Sequence, residues 1–205
     1  MPCVNNIQQA QAWKNLKWAN CQEGNENCLC LTFSLFIDWF NPRGNKQEGK
    51  QESMGFLLLT CLNLPPKLCH KPAYSFVFGV IPGPNSPNTI MISNILKPLV
   101  DQLLVLKDGV KIPTFSQPQG INIYVQLLPL IGDLVTIHKT SGVASHSGTH
   151  FCPWCDSQLP NLQLMKLGTT RNGFTILKAA QDCKDAITLT EQDDLRKKMV
   201  YDGVN

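Results

Sequence analysis

Two aspartates in otherwise apolar segments are the residues of this sequence best suited to metal-dependent chemistry. Asp38 lies within LTFSLFIDWF, residues 31–40, and Asp133 closely follows INIYVQLLPL, residues 121–130. Two carboxylates held close together resist ionising at the same time, and a divalent cation removes that cost. Hard oxygen ligands suit Mg²⁺ or Mn²⁺, and such ions activate water and stabilise the leaving oxygen at a phosphodiester. The pair therefore predicts phosphodiester chemistry, provided that the fold brings the two segments together.

Each aspartate also has a simpler interpretation. Asp38 lies shortly before Asn41-Pro42, and an aspartate at the end of a strand is commonly a turn former. Asp133 follows Gly132 at the start of a predicted helix, where an aspartate is commonly an N-cap. Only the positions of the two residues in the strand order distinguish a catalytic pair from a turn former and a cap.

A second candidate site is the cysteine pair of the CPWC motif, Cys152 and Cys155. Two thiolates with this spacing can occupy two corners of a tetrahedral Zn²⁺ site, and His146 and His150 are candidates for the other two. The pair can equally be an unliganded pair in a loop. A thiol oxidoreductase is a third interpretation, but it requires the pair at the start of a helix that follows a strand, which residues 145–151 do not predict.

The elements that must position these residues follow from hydrophobic periodicity and from turn residues. Apolar runs predict four strands, and apolar residues at helical spacing predict a helix that starts near Pro87 or Thr89, contains Pro98 and ends at Gly109. The predicted strands cover residues 31–40, 55–64, 74–81 and 121–130; further helices are predicted from residue 134, at 176–185 and at 191–200. The order β-β-β-α-β-α predicts the α/β class and an incomplete ribonuclease-H-like fold, in which the first and fourth strands are neighbours. Such a sheet carries Asp38 and Asp133 to one edge.

Composition restricts the class of protein further. The chain has 205 residues, 43% hydrophobic and 16% charged, with a formal net charge of +3, which suits a folded domain and permits a nucleic-acid partner. We expect a lead-in at residues 1–30, a partial catalytic core at 31–145, and the truncated start of a cysteine-containing insertion at 146–205. The nine cysteines follow no signal peptide, so we expect them to be mostly reduced. We expect no membrane-spanning segment and no membrane partner.

Six blocks of the sequence resemble a known family. In one unbroken order they read FSLFIDWFNPRGNKQEGKQESMG, LTCLNLPPKL, FVFGVIPGPNSPNTI, ILKPLVDQLL, VQLLPLIGDLV and SGVASHSGTHFCPWC. Together they are similar to the core blocks of CACTA (En/Spm-like) DNA transposases, especially the lineage abundant in mushroom-forming fungi. The similarity spans roughly residues 7–205, and the succession of NLPP, IPGPNSP and CxxC is specific.

The resemblance implies a role for each candidate residue. Asp38 and Asp133 match the first and second catalytic aspartates, which hold Mg²⁺ or Mn²⁺ for DNA cleavage and strand transfer. The third acidic residue is expected beyond Asn205, so the chain is interpreted as an internal fragment, inactive or nearly so by itself. The remaining zinc ligands are also expected downstream. DNA (transposon ends and target) as partner, nuclear localisation and an oligomeric full-length parent are implied as well. The alternative is a non-catalytic, transposon-derived remnant that binds DNA or zinc.

Overall fold

The computed structural model of the chain describes residues 6–16, 27–41, 53–83, 87–142, 151–192 and 194–195. The chain forms two compact units, Met1–Asp133 and Leu134–Asn205. Each unit is considered by itself below. The predicted division of the chain at residues 145 and 146 stays a prediction.

The first unit contains a five-stranded mixed sheet in the order β3-β2-β1-β5-β4. The central strand β1 is parallel to β5 and antiparallel to β2, and the edge strands β3 and β4 are antiparallel to β2 and β5 respectively. The strands are β1 Cys28–Phe40, β2 Met54–Cys61, β3 Ser75–Ile81, β4 Val110–Ile112 and β5 Ile121–Ile131. A parallel pair requires a crossover connection, and this one contains the longest described helix.

The described helices are α1 Gln11–Lys14, α2 Pro66–Cys69 and α3 Thr89–Asp108 in the first unit, and α4 Leu134–Ser141 and α5 Gly173–Asp185 in the second. The crossover helix α3 begins where the Asn88 side chain accepts a hydrogen bond from the Met91 backbone N–H at 2.9 Å. It ends before Gly109, whose φ of 97° lies in the left-handed region. The predicted start at Thr89 and end at Gly109 are confirmed, as is Pro98 within the helix.

Two details differ from the sequence-based expectation, and a third is not tested by the described residues. The first strand begins at Cys28, so the end of the predicted lead-in belongs to the sheet. The three-residue strand β4 was not predicted, because so short a segment shows no alternation. The strand predicted as the fourth, residues 121–130, is therefore the fifth. The helix predicted at 191–200 lies mostly outside the described residues.

The core of the first unit lies between α3 and one face of the sheet. Ile92, Leu96 and Leu99 of α3 pack with four buried strand residues, Leu35, Ile37, Leu57 and Leu59. Burying each such side chain contributes about 1.5–3 kcal/mol relative to leaving it exposed. Because side chains alternate along a strand, the even-numbered residues near the end of β1 lie on the face away from α3. Asp38 belongs to that face.

Helix α3 is also long and apolar enough, by length and composition alone, to cross a membrane. The expectation that no segment meets this test is therefore wrong for α3. In the structure one side of α3 packs on the sheet, and another side carries an exposed ion pair between Lys97 and Asp101 at 2.7 Å. Only 17% of this apolar stretch is buried within the fold, and apolar side chains such as Ile90, Leu104 and Val105 are exposed.

The cysteines of the described residues are mostly free thiols, as expected. Cys30, Cys61, Cys69, Cys152, Cys155 and Cys183 are free, whereas Cys28 is disulfide-bonded. Burial raises the pKa of the Cys30 thiol, which keeps that side chain protonated and unreactive at neutral pH.

Gly109 offers a test of the junction between α3 and the sheet. A Cβ at this position would meet the Tyr124 ring, and the positive φ adds backbone strain. We expect Gly109→Ala to lower the free energy of unfolding by about 2–3 kcal/mol. Gly142→Ala is the matched control, because Gly142 has φ of 70° but no described residue lies within 4 Å of the added Cβ. Denaturant unfolding of both variants separates strain from the clash, and equal losses would contradict a role for Tyr124.

Candidate functional site

The pairing of β1 with β5 places the two candidate aspartates at the same end of adjacent strands. The last matched pair of this parallel ladder is Phe36 with Ile131. Asp38 lies two residues beyond Phe36, and Asp133 lies two residues beyond Ile131. Neighbouring strands run about 5 Å apart. The fold therefore places Asp38 and Asp133, which lie far apart in sequence, near the same end of two neighbouring strands.

The alternation of β1 decides which face of the sheet carries Asp38. Ile37 is matched with Leu57 and lies in the core beneath α3, whereas Asp38 is matched with Phe56. Asp38 therefore projects from the opposite face, and so does Ile131 through its pairing with Phe36. This face is the one from which a pair of carboxylates could hold a cation without displacing the core.

The Asp38 carboxylate is half-buried and oriented by the backbone of the next residue. One carboxylate oxygen accepts a hydrogen bond from the Trp39 backbone N–H at 2.8 Å. The Trp39 indole packs against the core beside Gly55, where a Cβ would come within 2.8 Å of the indole Nε1. Strand β1 continues to Phe40, so Asp38 lies inside a strand and not in the turn that the simpler interpretation requires.

Asp133 lies on the exposed stretch that links β5 to α4. Gly132 separates it from the end of β5, and α4 begins at the next residue, Leu134. This position suits an N-cap as well as a metal ligand, so both interpretations of Asp133 stay open. Among the described residues, no group of three or more His, Cys, Asp or Glu side chains is arranged to hold a metal ion. The described part of the sheet therefore offers two carboxylates, Asp38 and Asp133, which do not make a complete ligand set for a metal ion.

The cysteine pair lies in the second unit, in an irregular segment held by long-range hydrogen bonds. Cys155 forms an isolated bridge with Thr170. Arg171 donates from Nε to the backbone carbonyls of Cys152 and Cys155 at 3.0 and 3.1 Å. The side chain of Arg171 therefore closes the CxxC turn, which does not start a helix as a thiol oxidoreductase requires. His146 and His150 lie outside the described residues.

Ser157 sets the protonation behaviour of Cys155. Its hydroxyl lies 3.0 Å from the Cys155 Sγ and also accepts the Gly168 backbone N–H at 2.9 Å. The hydrogen bond with the Ser157 hydroxyl lowers the pKa of Cys155, and hydrogen bonds with Cys152 and with backbone groups act in the same direction, against the effect of burial. A cavity of about 980 Å³ opens beside both cysteines. A lowered thiol pKa and open access both favour a metal-binding thiolate.

Replacing Ser157 with alanine is expected to raise the pKa of Cys155, because the largest lowering contribution is removed and burial remains. The thiolate fraction of Cys155 at neutral pH should therefore fall, and its alkylation should slow. Peptide-resolved mass spectrometry of alkylation against pH measures this. Ser141→Ala is the control, since the Ser141 hydroxyl bonds only backbone carbonyls of α4 among its described partners. A pH profile unchanged by Ser157→Ala would contradict the assignment.

Three contributors to these sites were not identified from the sequence. Gly55 makes room for Trp39, Ser157 contacts Cys155, and Arg171 holds the CxxC turn. Gly55 acts on Trp39 of the neighbouring strand, and Arg171 acts on cysteines 16 and 19 residues away, so local periodicity gives no signal for either residue. Ser157 lies two residues from Cys155 in the sequence, and this short separation was the only signal that its hydroxyl could contact the thiol.

Comparison with known proteins identifies the family. No curated protein matches the chain. The sequence profile described as transposase family tnp2 matches residues 4–174. The match covers all five strands, α3 and α4, and the cysteine pair, so it includes both candidate sites. Because it covers most of the sequence, the chain belongs to the transposase family tnp2.

Proposed function

We propose that the first unit is part of the catalytic core of a CACTA-type DNA transposase with a ribonuclease-H-like sheet. In this proposal Asp38 and Asp133 hold Mg²⁺ or Mn²⁺ for DNA cleavage and strand transfer. The observation that carries it is the parallel register of β1 and β5, in which Phe36 pairs with Ile131 two residues before each aspartate. Membership of the transposase family supports the reaction class.

The residues of the chain would contribute position and negative charge. The Trp39 N–H fixes one oxygen of Asp38, which limits the rotation of the carboxylate and aims it away from the core. Oxygen ligands alone suit Mg²⁺ or Mn²⁺ and give no preference to softer metals. A bound cation supplies the Lewis acid that activates water and stabilises the leaving oxygen. Because two carboxylates are fewer than a two-metal site requires, the chain by itself should bind the cation and cleave DNA little or not at all.

The partner in this proposal is DNA, both transposon ends and target, and the compartment is the nucleus. The family membership supports DNA, and the net charge of +3 is compatible with a polyanionic partner. Assembly into an oligomer belongs to the same proposal.

A titration with Mn²⁺, followed by the relaxation of water protons, tests the metal site, and a nicking assay on supercoiled DNA tests cleavage. We expect saturable Mn²⁺ binding at about one site per chain, with nicking at or near background. Absence of Mn²⁺ binding would defeat the proposed metal role. Mn²⁺-dependent nicking that Asp38→Asn abolishes would overturn the expected inactivity and would support catalysis directly.

The second candidate function is a non-catalytic remnant that binds zinc through Cys152 and Cys155. The geometry that favours it is the CxxC turn held by Arg171, beside an open cavity. Co²⁺ in place of Zn²⁺ reports thiolate ligation through its charge-transfer absorption, which Cys152→Ser should remove. Two ligands bind weakly, so a nanomolar affinity of this chain would require further ligands such as His146. The His146→Ala variant tests that ligand.

A further inference from the structure

The connection between β2 and β3 presents two lysines, a histidine and a tyrosine from a single compact turn. We call residues 65–75 the cationic turn; it contains α2 and the 3-10 turn Pro72–Tyr74. Lys67, His70, Lys71 and Tyr74 are all exposed. Lys67 lies in the four-residue helix α2, His70 follows its last residue, and Lys71 has extended backbone just before the 3-10 turn.

The cationic turn is built as a rigid element and anchored to the sheet. Its backbone is closed by consecutive hydrogen bonds, among them Leu68 N–H to the Pro65 carbonyl at 2.8 Å and Tyr74 N–H to the Lys71 carbonyl at 2.9 Å. Cys69, within the turn, is buried, with 6% exposure. Lysines held on a fixed backbone lose less freedom on binding than lysines on a mobile loop.

The residues just before the turn attach it to the central strand. The Asn63 side chain accepts the Thr32 backbone N–H at 2.7 Å and donates to the Cys30 carbonyl at 3.2 Å. The Leu62 N–H donates to the Thr32 carbonyl at 2.8 Å. The turn is therefore fixed beside the amino-terminal half of β1, at the end of the sheet opposite Asp38.

The chain on both sides of the cationic turn lacks acidic residues. The sequence from residue 53 to residue 100 contains no Asp or Glu. The described carboxylates of the first unit are Asp38, Asp101, Asp108 and Asp133. Asp38 and Asp133 lie at the far end of the sheet, and Asp101 pairs with Lys97. Asp108 lies at the same end as the turn but beside the opposite edge strand, β4. Among the described residues, no carboxylate neighbours the turn in sequence, and neither Lys67 nor Lys71 forms an ion pair.

We propose that the cationic turn is a DNA-binding surface separate from the aspartate end of the sheet. Lys67 and Lys71 contact phosphates, and the exposed Tyr74 ring stacks on a base of a single strand. Positive charge beside an exposed aromatic ring is the combination that binds single-stranded nucleic acid. Between the level of Cys61, next to the turn, and that of Phe56, opposite Asp38, β2 extends about 17 Å. In this proposal the turn therefore binds DNA at a distance from the cleavage site proposed at Asp38 and Asp133.

The inference rests on the proposed DNA partner and not on the metal. Binding of a fluorescent single-stranded oligonucleotide to the full chain is measured in EDTA over a series of salt concentrations, so that the metal site cannot contribute. We expect the double variant Lys67→Gln/Lys71→Gln to bind roughly tenfold more weakly at low salt, and its slope of log affinity against log salt to be shallower by about 1.4. Tyr74→Leu should lose at least about fivefold with an unchanged slope.

The matched control removes the same charge from another surface. Lys178→Gln/Lys184→Gln, on exposed positions of α5, should leave both affinity and slope within error of wild type. Unchanged melting temperatures establish that all variants fold. An unaltered salt slope in the Lys67/Lys71 variant, wild-type affinity of Tyr74→Leu, or no oligonucleotide binding by wild type would each overturn the proposal. None of these results would affect the Mn²⁺ titration, which tests the metal site separately.

Discussion

Asp38→Asn is expected to weaken Mn²⁺ binding by more than about a hundredfold, because substitutions outside the ligand set of a metal site already cost 10- to 100-fold. The amide keeps the size of the carboxylate and an oxygen that accepts the Trp39 N–H, so the fold should be unchanged. What it removes is one of two negative charges at the end of β1 and β5. Asp133→Asn should have a comparable effect on Mn²⁺ affinity.

The asparagine at position 133 also distinguishes the two interpretations of that residue. Asparagine is as good an N-cap as aspartate, so a purely capping role predicts unchanged stability and unchanged Mn²⁺ affinity. A ligand role predicts unchanged stability and lost affinity. Asp101→Asn, on the exposed side of α3, is the control and should bind Mn²⁺ like wild type. Equal affinities of all three variants and wild type would exclude the aspartate pair as the metal site.

Ile37→Ala is expected to have the largest effect on stability, about 3–5 kcal/mol in the free energy of unfolding. Ile37 is fully buried, with 0% exposure, and lies in the core cluster between the central strand and α3. Truncation loses the transfer free energy of three carbons and leaves a cavity, because the strands on both sides of β1 prevent collapse of the sheet. Denaturant unfolding followed by circular dichroism measures the loss.

Ile90→Ala is the matched control for this substitution. Ile90 is 68% exposed in the first turn of α3, so the same truncation should change stability by no more than about 0.5 kcal/mol. Similar losses for the two variants would mean that the odd-numbered face of β1 does not form the core. That result would also reverse the face assigned to its neighbour, Asp38.

Much of the architecture was predictable because its signals are local. Thr89 and Gly109 bound α3 through a capping side chain before the helix and a left-handed residue after it, and both effects act within a few residues. Alternating or continuous apolar runs gave β1, β2, β3 and β5 to within about three residues, which is the usual uncertainty of strand ends. Strand β4 was missed because three residues are held in the sheet by their partner β5 and not by a pattern of their own.

The aspartates were singled out by an unusual local context, a carboxylate within or just after an apolar strand. Their nearness was inferred from a strand order that the sequence suggests but does not encode locally. The structure contains the parallel pairing of β1 with β5 on which that inference depended. Arg171 could not be found in the same way, because its contacts with the carbonyls of Cys152 and Cys155 bridge 19 and 16 residues of irregular chain.

The sequence by itself determined which segments are strands or helices, which residues stop them, and which side chains carry chemistry. These properties depend on backbone preferences and on the spacing of apolar residues within one element. Only the tertiary structure decided that β5 lies beside β1, that Asp38 projects away from α3, and that the turn with Lys67 and Lys71 lies at the end of the sheet opposite Asp38. The physical reason is that pairing between distant strands is selected by burial of the whole core beneath α3, a condition that no single segment contains.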